Sequence, residues 1–309
     1  MKILVTTPTG KIGRIIVREL LAPEFEVRVL VRKTARLAEE ILDQVEVIRG
    51  SSDNAAVLSQ ALEGVEALFW CVPPPSLQEE HIQAHYERFA RAGYRAIRDA
   101  GTRRVVTVSA IGKGIARNAG PFSGLHAMED ILNESGAVIR HLRCGSFMEN
   151  FLSDAQSICE DGVISYPIAG HIPIPMVAVK DVADVALRWL VRNDWSGSKG
   201  VALHGPEDLT HNQAAAILER VLQRPVRFRH ASAEEFVDRL VAAGASAAHA
   251  LHLVNMFAEL ARGISRAEAR TIESTTRTSL AAWARNELAP LIDTFGVPCD
   301  MNASEPCAV

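Results

Sequence analysis

The sequence has few of the residues that hold small secreted domains or metal sites together. Its five cysteines lie far apart in 309 residues, with no C-x-x-C pair, and this pattern argues against a disulfide framework or a zinc site. Its ten histidines include no H-E-x-x-H pattern, so no metal is expected. With 48% hydrophobic residues, the chain can instead bury one large core, or a large and a small one.

Long apolar runs and charge clusters are also missing. No apolar stretch approaches the ~18 residues that span a bilayer, and the first predicted strand starts at residue 2, leaving no room for a signal peptide. The 33 lysines and arginines are scattered, so no stripe suited to a phosphate backbone is visible. We therefore expect a cytoplasmic protein whose partner is a small-molecule substrate, not nucleic acid or membrane; a homodimer is left open.

The first 32 residues carry the most informative pattern. Ile3 to Val5 predicts a buried strand, apolar residues at helical spacing follow from Ile12, and residues 27–31 predict a second strand, which completes a βαβ unit. Gly10 and Gly13 stand where the first strand becomes the helix. Glycine there lets the backbone approach a pyrophosphate, and the free N–H groups of the first helical turn bind its charge. The predicted dinucleotide turn consists of Thr7, Thr9, Gly10, Lys11, Ile12 and Gly13.

The end of the second predicted strand bears on the choice of cofactor. Sites that prefer NAD usually place an acid there to hold the ribose 2′-hydroxyl, whereas a basic residue accommodates the 2′-phosphate of NADP. This chain has Arg32 and Lys33, and no acid follows until Glu39. The two cations favour NADP(H) over NAD(H), although exposed basic residues at a helix start are also common on protein surfaces.

Strands alternate with helices along the rest of the first half. Apolar runs predict strands at residues 45–48, 67–72, 104–109 and 138–142. This order predicts an α/β fold with a doubly wound parallel sheet, in which ligands bind beyond the carboxyl ends of the strands. One cleft should then be bordered by the glycine turn, the prolines after the fourth strand, and residues 109–112 and 144–150. Further cofactor contacts are expected from Cys71, Val72 and Pro73.

The pattern loosens after residue 150. We predict a dinucleotide-binding Rossmann domain over 1–150, a smaller α-rich substrate or lid domain over 151–295 with one or two segments returning to the sheet, and a loose tail over 296–309. Residues 164–176 are rich in glycine and proline, which predicts an irregular wall segment and not part of the core. A helix is predicted over 179–191 and a strand over 201–203. Capping boxes predict three helix starts, at Thr210, Ser232 and Ser265.

These motifs, taken in order, resemble one family. V-T-T-P-T-G-K-I-G-R at 5–14, G-V-E-A-L-F-W-C-V-P-P at 64–74, R-R-V-V-T-V-S-A at 103–110 and S-F-M-E-N at 146–150 are similar to the NmrA-like family of atypical short-chain dehydrogenases/reductases. The resemblance implies NAD(P)(H) on a Rossmann domain with a small C-terminal domain over the cleft. Some members reduce quinones, other carbonyls or alkenes, and others sense the redox state of the nucleotide without catalysis.

The chain departs from the family at several positions. Thr7 replaces the first glycine of the turn, Ser51 stands where an Asp is common, and no tyrosine has a lysine four residues later, so the Y-x-x-x-K motif is missing. His126 stands where many relatives have a lysine, and an imidazole can donate a proton near neutral pH. We therefore name His126 and Ser109 as the catalytic candidates. The alternatives are a partly exposed His126 paired with Glu129 or Glu134, and a Ser109 hydroxyl bonded to nearby backbone.

The predicted substrate pocket lies next to the nicotinamide end of the cleft. The resemblance places Phe147, Met148 and Asn150 near this end, and the expected position of the cleft adds Pro74, Ala110 and Met176. Phe147 and Met148 fit plain packing equally well, and Glu149 with Asn150 fits helix capping. The chain thus reads as an NADP(H)-binding reductase of a small apolar carbonyl, quinone or enone. The alternatives are a non-catalytic NADP(H)-sensing regulator that binds a protein partner, and a non-redox isomerase or cyclase on the same fold.

Overall fold

A computed structural model describes residues 1–296. The predicted loose tail therefore lies outside the described residues, apart from its first residue, Gly296. Within residues 1–296, no helix combines the length and the apolar character that crossing a bilayer requires.

The described residues contain twelve strands. In chain order they are β1 (Lys2–Thr6), β2 (Glu26–Val31), β3 (Glu46–Arg49), β4 (Ala67–Trp70), β5 (Arg104–Ala110), β6 (Val138–Cys144), β7 (Ser146–Phe147), β8 (Val163–Tyr166), β9 (Pro173–Val177), β10 (Lys199–Leu203), β11 (Asp208–Thr210) and β12 (Arg227–His230). Seven of them form one parallel sheet in the order β10-β6-β5-β4-β1-β2-β3. The predicted Rossmann-like α/β fold is confirmed.

The helices follow the same order. They are α1 (Lys11–Glu19), α2 (Glu39–Leu42), α3 (Ala55–Leu62), α4 (Ile82–Ala100), α5 (Pro121–Asn133), α6 (Ala155–Glu160), α7 (Val179–Val191), α8 (His211–Leu222), α9 (Ala233–Ala242), α10 (Ala247–Ala261), α11 (Leu280–Trp283) and α12 (Ala289–Gly296). A π-helical turn, Ala284–Leu288, joins α11 to α12. Short 3₁₀ turns cover Thr34–Arg36, Met148–Asp154 and Ile264–Ala267.

Helices cover both faces of the central sheet. Ile3 and Val5 of β1 pack in one apolar cluster with α1 and α7, whereas Leu4 packs in a second cluster with α3, α4 and α5. Alternate residues of a strand point to opposite faces, so both clusters draw on the same strands. Every residue of β4 and of β5 is buried, as expected for central strands of a parallel sheet.

The second half of the chain contributes to the central sheet and builds two small sheets of its own. β10 pairs with β6 at the edge of the central sheet, so the chain returns to that sheet after residue 150. β11, β9 and β7 form a three-stranded sheet, and β12 pairs with β8. A third apolar cluster joins the small sheets to α6, α8 and the helix that starts at Leu280. The boundaries at residues 150 and 295 stay predictions.

Two expectations for the second half are wrong. Residues 164–176 are not an irregular wall, because they contain most of β8 and β9 and bury Ile164 and Ile174. β9 contains two prolines and still pairs with β11 over three residues and with β7 over two. Ser265 caps no helix but lies in the 3₁₀ turn Ile264–Ala267.

The other two predicted helix starts are confirmed. Thr210 forms a full capping box with Gln213 at the start of α8. Ser232 accepts a hydrogen bond from the N–H of Glu235 at the start of α9. The third α-helix of this region begins after Ser246 instead, whose side chain accepts from the N–H of His249.

Candidate active site

The glycine turn joins β1 to α1 with a close backbone approach. The N–H of Gly10 donates to the Thr7 carbonyl at 3.0 Å. A Cβ atom on Gly13 would lie 2.2 Å from that carbonyl oxygen, so only glycine fits there. Thr7 itself has φ +50°, a left-handed conformation that is rare for a β-branched residue. The conformation explains why a glycine is usual at this position.

The start of α1 presents unpaired backbone donors. The first helical bond runs from the N–H of Arg14 to the carbonyl of Gly10 at 3.0 Å. The N–H groups of Lys11, Ile12 and Gly13 have no partner among the described residues. No acidic residue stands in the first turn and no side chain caps it. Free N–H groups and the positive end of the helix dipole suit a phosphate group.

The loop after β4 borders this turn. Thr6 donates through Oγ1 to the Phe69 carbonyl at 3.0 Å and accepts from the N–H of Cys71 at 2.9 Å. These bonds fix the start of the loop against the end of β1. Cys71 and Pro73 are partly buried and Val72 is buried. Burial raises the pKa of the Cys71 thiol to about 11, so it stays protonated at neutral pH.

Arg32 and Lys33 follow β2 on the same edge of the sheet. Both side chains are exposed. Neither makes an ion pair or a side-chain hydrogen bond within residues 1–296. Two uncommitted cations at this edge can attract a phosphate group on a bound nucleotide.

A buried polar network lies under the end of β5. The Ser109 hydroxyl donates to Glu129 Oε1 at 2.6 Å. Arg143 donates to both carboxylate oxygens of Glu129, the shortest contact being 2.7 Å, and to Glu268 at 3.2 Å. Glu268 also accepts from the N–H of Gly112 at 2.7 Å. Ser109 therefore bonds to a side chain, and the backbone partner considered in the sequence analysis is not its partner in the structure.

The two carboxylates of this network have opposite pKa shifts. Burial acts to raise the pKa of Glu129, but the hydrogen bonds from Arg143 and Ser109 and the nearby charges lower it below its ordinary value. Burial raises the pKa of Glu268, and the bonds from Gly112 and Arg143 offset this only in part. The surroundings therefore favour the ionised form of Glu129, and the hydrogen bond from Arg143 is the largest contribution that lowers its pKa.

His126 lies on α5 and is buried, not partly exposed. Its Nε2 is 3.0 Å from the Ala110 carbonyl oxygen. Because a carbonyl only accepts, Nε2 carries the proton of the neutral ring and Nδ1 is the free acceptor. Burial lowers the pKa of His126, and the bond to Ala110 and the charge of Glu129 offset this only in part. No hydrogen bond joins His126 to Glu129 or Glu134 within the described chain.

The predicted pocket residues occupy different environments. Ala110 pairs with Cys144 in the sheet, and β7 next to it aligns Phe147 with Val177. Met148 and Met176 are buried in the third apolar cluster. Phe147 is partly buried, and Pro74 and Asn150 are exposed. Met148 and Met176 thus pack in the same cluster, which matches the packing alternative for Met148, whereas Phe147 packs against the first apolar cluster. Pro74 follows β4 in the chain.

Glu149 connects three parts of the molecule. Its carboxylate accepts from the N–H of Val179 at 3.0 Å and from Trp283 Nε1 at 3.1 Å. Lys11 Nζ lies 3.5 Å from its carbonyl oxygen. Glu149 thus caps the distant helix α7, not a helix starting at its own position.

Sequence reasoning missed four residues of the site region. The pairing of Arg143 with Glu268 left no signal, because the two residues lie 125 positions apart, and Glu268 entered the sequence analysis only through the capping box predicted at Ser265. Glu129 appeared only as a partner of His126. His85 lies in α4 with Nε2 2.9 Å from the Pro73 carbonyl oxygen, and nothing in the sequence marked it. One available signal was the presence of polar residues, Arg140, His141 and Arg143, in a strand of the central sheet.

Comparison with known proteins identifies the relatives of this chain. The sequence profile of the NmrA-like family matches residues 1–281. The (4-alkanoyl-5-oxo-2,5-dihydrofuran-3-yl)methyl phosphate reductase of Streptomyces griseus is 34% identical over 228 residues, or 73% of this chain and 76% of that protein. The NAD(P)H azoreductase of Xenophilus azovorans is 28% identical over 226 residues, with 73% and 76% covered.

Solved structures share the fold over almost the whole chain. The NADPH-dependent quinone oxidoreductase of Escherichia coli complexed with NADPH has a TM-score of 0.74 at 23% identity, covering 96% of this chain and 100% of that one. The Citrobacter triphenylmethane reductase complexed with NADP(H) has a TM-score of 0.77 at 21% identity, covering 93% and 99%. The four proteins named here are reductases or oxidoreductases, and three of them are named with NADPH, NADP(H) or NAD(P)H.

Proposed function

This chain belongs to the NmrA-like family, and from that premise we propose that it is an NADP(H)-dependent reductase of a small apolar carbonyl, quinone or enone. The glycine turn carries the proposal. Its unpaired N–H groups at Lys11, Ile12 and Gly13 and its lack of any acid match a bound pyrophosphate. The test is a titration of the purified protein with NADPH and with NADH, followed by fluorescence.

The residues around the turn fit the cofactor. The turn itself, with Thr9, Gly10 and Lys11 exposed, would hold the pyrophosphate, and Arg32 and Lys33 the 2′-phosphate. Cys71, Val72 and Pro73 would line the groove beside it. When bound, the nicotinamide supplies a hydride, and the protein supplies binding, orientation and charge.

We expect Arg32→Glu to weaken NADPH binding about tenfold while NADH binding changes little, because a carboxylate repels the 2′-phosphate. Nucleotide titrations of both proteins measure this. Arg18→Glu is the matched control. It makes the same charge change at an exposed position in the last turn of α1, at the end of the helix away from the glycine turn, and it should leave both affinities unchanged. Equal losses for NADPH and NADH would contradict the proposed preference.

Phe147 supports an apolar substrate, because it is uncharged and only partly buried. Pro74 and Asn150 are exposed, so a ligand can reach them too. Ala110, Met148 and Met176 are only 3%, 1% and 3% exposed and pack in the interior, where a substrate does not reach them. Small-molecule sites are typically lined by apolar residues with few polar groups. Loss of NADPH absorbance on addition of quinones and enones would identify a substrate.

His126 remains our candidate for the proton donor. The Nε2 proton is bonded to Ala110, so donation to a substrate requires the imidazolium, which carries a second proton on Nδ1. Because burial lowers the pKa of His126 below the ordinary 6.5, we expect kcat to fall as the pH rises through that lowered pKa. His126→Ala should lower kcat about 100-fold and remove this pH dependence. An unchanged kcat and pH profile in the variant would exclude His126 as the donor.

A second candidate function is a non-catalytic NADP(H) sensor. The Ser109 hydroxyl and the His126 Nε2 proton are both already bonded within the fold. Neither of the two groups that we named as catalytic is therefore free to donate its proton to a substrate in this structure. Tight NADPH binding without oxidation by any quinone, enone or carbonyl compound would favour the sensor over the reductase.

A further inference from the structure

The loop after β4 is fixed on two sides. Thr6 holds its beginning at Cys71. Three consecutive prolines follow at residues 73–75, and proline has no N–H group to donate. This part of the loop is therefore anchored by hydrogen bonds that its carbonyl groups accept. The Pro73 carbonyl accepts such a bond from the His85 ring.

The surroundings of His85 define its protonation. Nε2 is 2.9 Å from the Pro73 oxygen, and Nδ1 is 3.2 Å from a guanidinium nitrogen of Arg88. A guanidinium only donates and a carbonyl only accepts, so the ring is neutral with its proton on Nε2. Burial lowers the pKa of His85, and the charge of Arg88 acts in the same direction, while Pro73 opposes both. The neutral donor persists at physiological pH.

Packing holds the ring in this orientation. His85 is 6% exposed. Its ring lies edge-on to Tyr86 with centroids 5.4 Å apart and tilted against Phe89 at 4.9 Å. A buried ring between two aromatic neighbours has few alternative rotamers, so the Nε2 proton stays directed at the loop.

A weaker contact extends the arrangement to the segment between β3 and α3. Arg88 Nε lies 3.4 Å from Asp53 Oδ2, with side chains 51% and 29% exposed. An exposed pair of this length contributes little. The buried bond from His85 to Pro73 is therefore the main support, and Arg88 assists it by fixing the tautomer.

We propose that His85 is a positioning residue of the nucleotide cleft, which holds the Pro73 carbonyl and with it the loop 71–73 in the place that a bound NADP(H) requires. This inference rests on the proposed function. His85 does not touch the reacting atoms. It acts through the loop, so its loss should weaken nucleotide binding and leave the chemical step intact.

The test compares two replacements of the same ring. His85→Phe keeps an aromatic ring between Tyr86 and Phe89 but removes the donor. His85→Gln places an amide N–H near the position of Nε2. We expect His85→Phe to bind NADPH about tenfold more weakly, since the net contribution of one hydrogen bond to the loop corresponds to a change of this order, with kcat at saturating NADPH unchanged. His85→Gln should bind within about threefold of the wild type, because its amide N–H can still donate to the Pro73 carbonyl.

Two controls separate this role from general packing. His211→Phe makes the same change at a buried histidine that stacks on Phe228, and it should leave NADPH affinity unchanged. Arg88→Ala should weaken binding less than His85→Phe. Equal affinity of His85→Phe and the wild type would overturn the proposal, as would a His85→Gln variant as weak as His85→Phe. A wild-type protein that binds no NADPH would overturn the proposed function as well, so the two failures are distinguishable.

Discussion

Alanine in place of Gly13 is expected to abolish nucleotide binding and to lower the free energy of unfolding. The added Cβ would lie 2.2 Å from the Thr7 oxygen, 2.9 Å from its carbonyl carbon and 3.1 Å from Pro8 Cα. All three are backbone atoms, so no rotamer change can relieve the contact. The turn must open, which moves the start of α1 away from Thr7.

Opening the turn affects binding and stability in different ways. The unpaired N–H groups of Lys11 and Ile12 lose the orientation that suits a phosphate, so NADPH titration should detect no binding. Overpacking of this kind costs about 1–3 kcal/mol, which chemical unfolding of the nucleotide-free protein measures. An intact wild-type affinity in Gly13→Ala would contradict the proposed pyrophosphate site.

Gly10→Ala is the matched control for this prediction. Gly10 has φ −77°, which any residue adopts, and a Cβ there would lie 3.3 Å from the Thr7 oxygen. The neighbouring atoms need to move only slightly, so its unfolding curve should stay close to that of the wild type. If Gly10→Ala and Gly13→Ala lose the same stability, close backbone approach at Gly13 is not the cause.

The first βαβ unit was predictable because its signals are local. A buried strand, two glycines and an amphipathic helix follow one another within the first 32 residues, and short-range periodicity determines each of them. Helix α7 was predictable for the same reason, with identical bounds at Val179–Val191. The left-handed conformation of Thr7 was not, because threonine gives no sequence signal for a positive φ.

Contacts between distant parts of the chain set the limit of sequence reasoning here. Glu268 bonds to Arg143, which lies 125 residues earlier, and to Gly112, which lies 156 residues earlier. The Ser265 capping box failed at the same place, since the Glu268 carboxylate is bonded to these residues and does not return to the Ser265 backbone. The spacing of residues in a sequence cannot show whether a carboxylate bonds to a nearby helix start or to residues far away in the chain.

The second large effect is expected from Arg143→Met. The substitution keeps an apolar stem of similar length but removes the guanidinium between Glu129 and Glu268, whose side chains are 1% and 9% exposed. Breaking a buried ion pair by removing one partner costs about 3–5 kcal/mol, because the remaining charge stays buried without compensation. We expect a loss at the lower end of this range, about 3 kcal/mol, since Arg143 itself is 20% exposed. Urea unfolding at neutral pH measures it.

The pH dependence of this loss identifies its cause. In the wild type the pKa of Glu129 lies below its ordinary 4.5, so its ionised form contributes stability that is present above that ordinary value and is lost as the pH falls through the lowered pKa. Without Arg143, burial raises the pKa of Glu129, and the protonated carboxyl becomes the favoured buried form. The difference in stability between wild type and variant should therefore be largest at neutral pH and shrink as the pH falls towards 4.5.

Two further variants separate charge burial from lost packing. Arg143→Met combined with Glu129→Gln should recover part of the stability, because an amide is neutral and still accepts from Ser109. Arg192→Met removes an arginine from an ion pair whose side chains are 56% and 62% exposed, so it should produce no measurable change. A loss in Arg143→Met that is the same at all pH values, and is not recovered by Glu129→Gln, would mean that Arg143 stabilises the fold through its packing and not by neutralising Glu129.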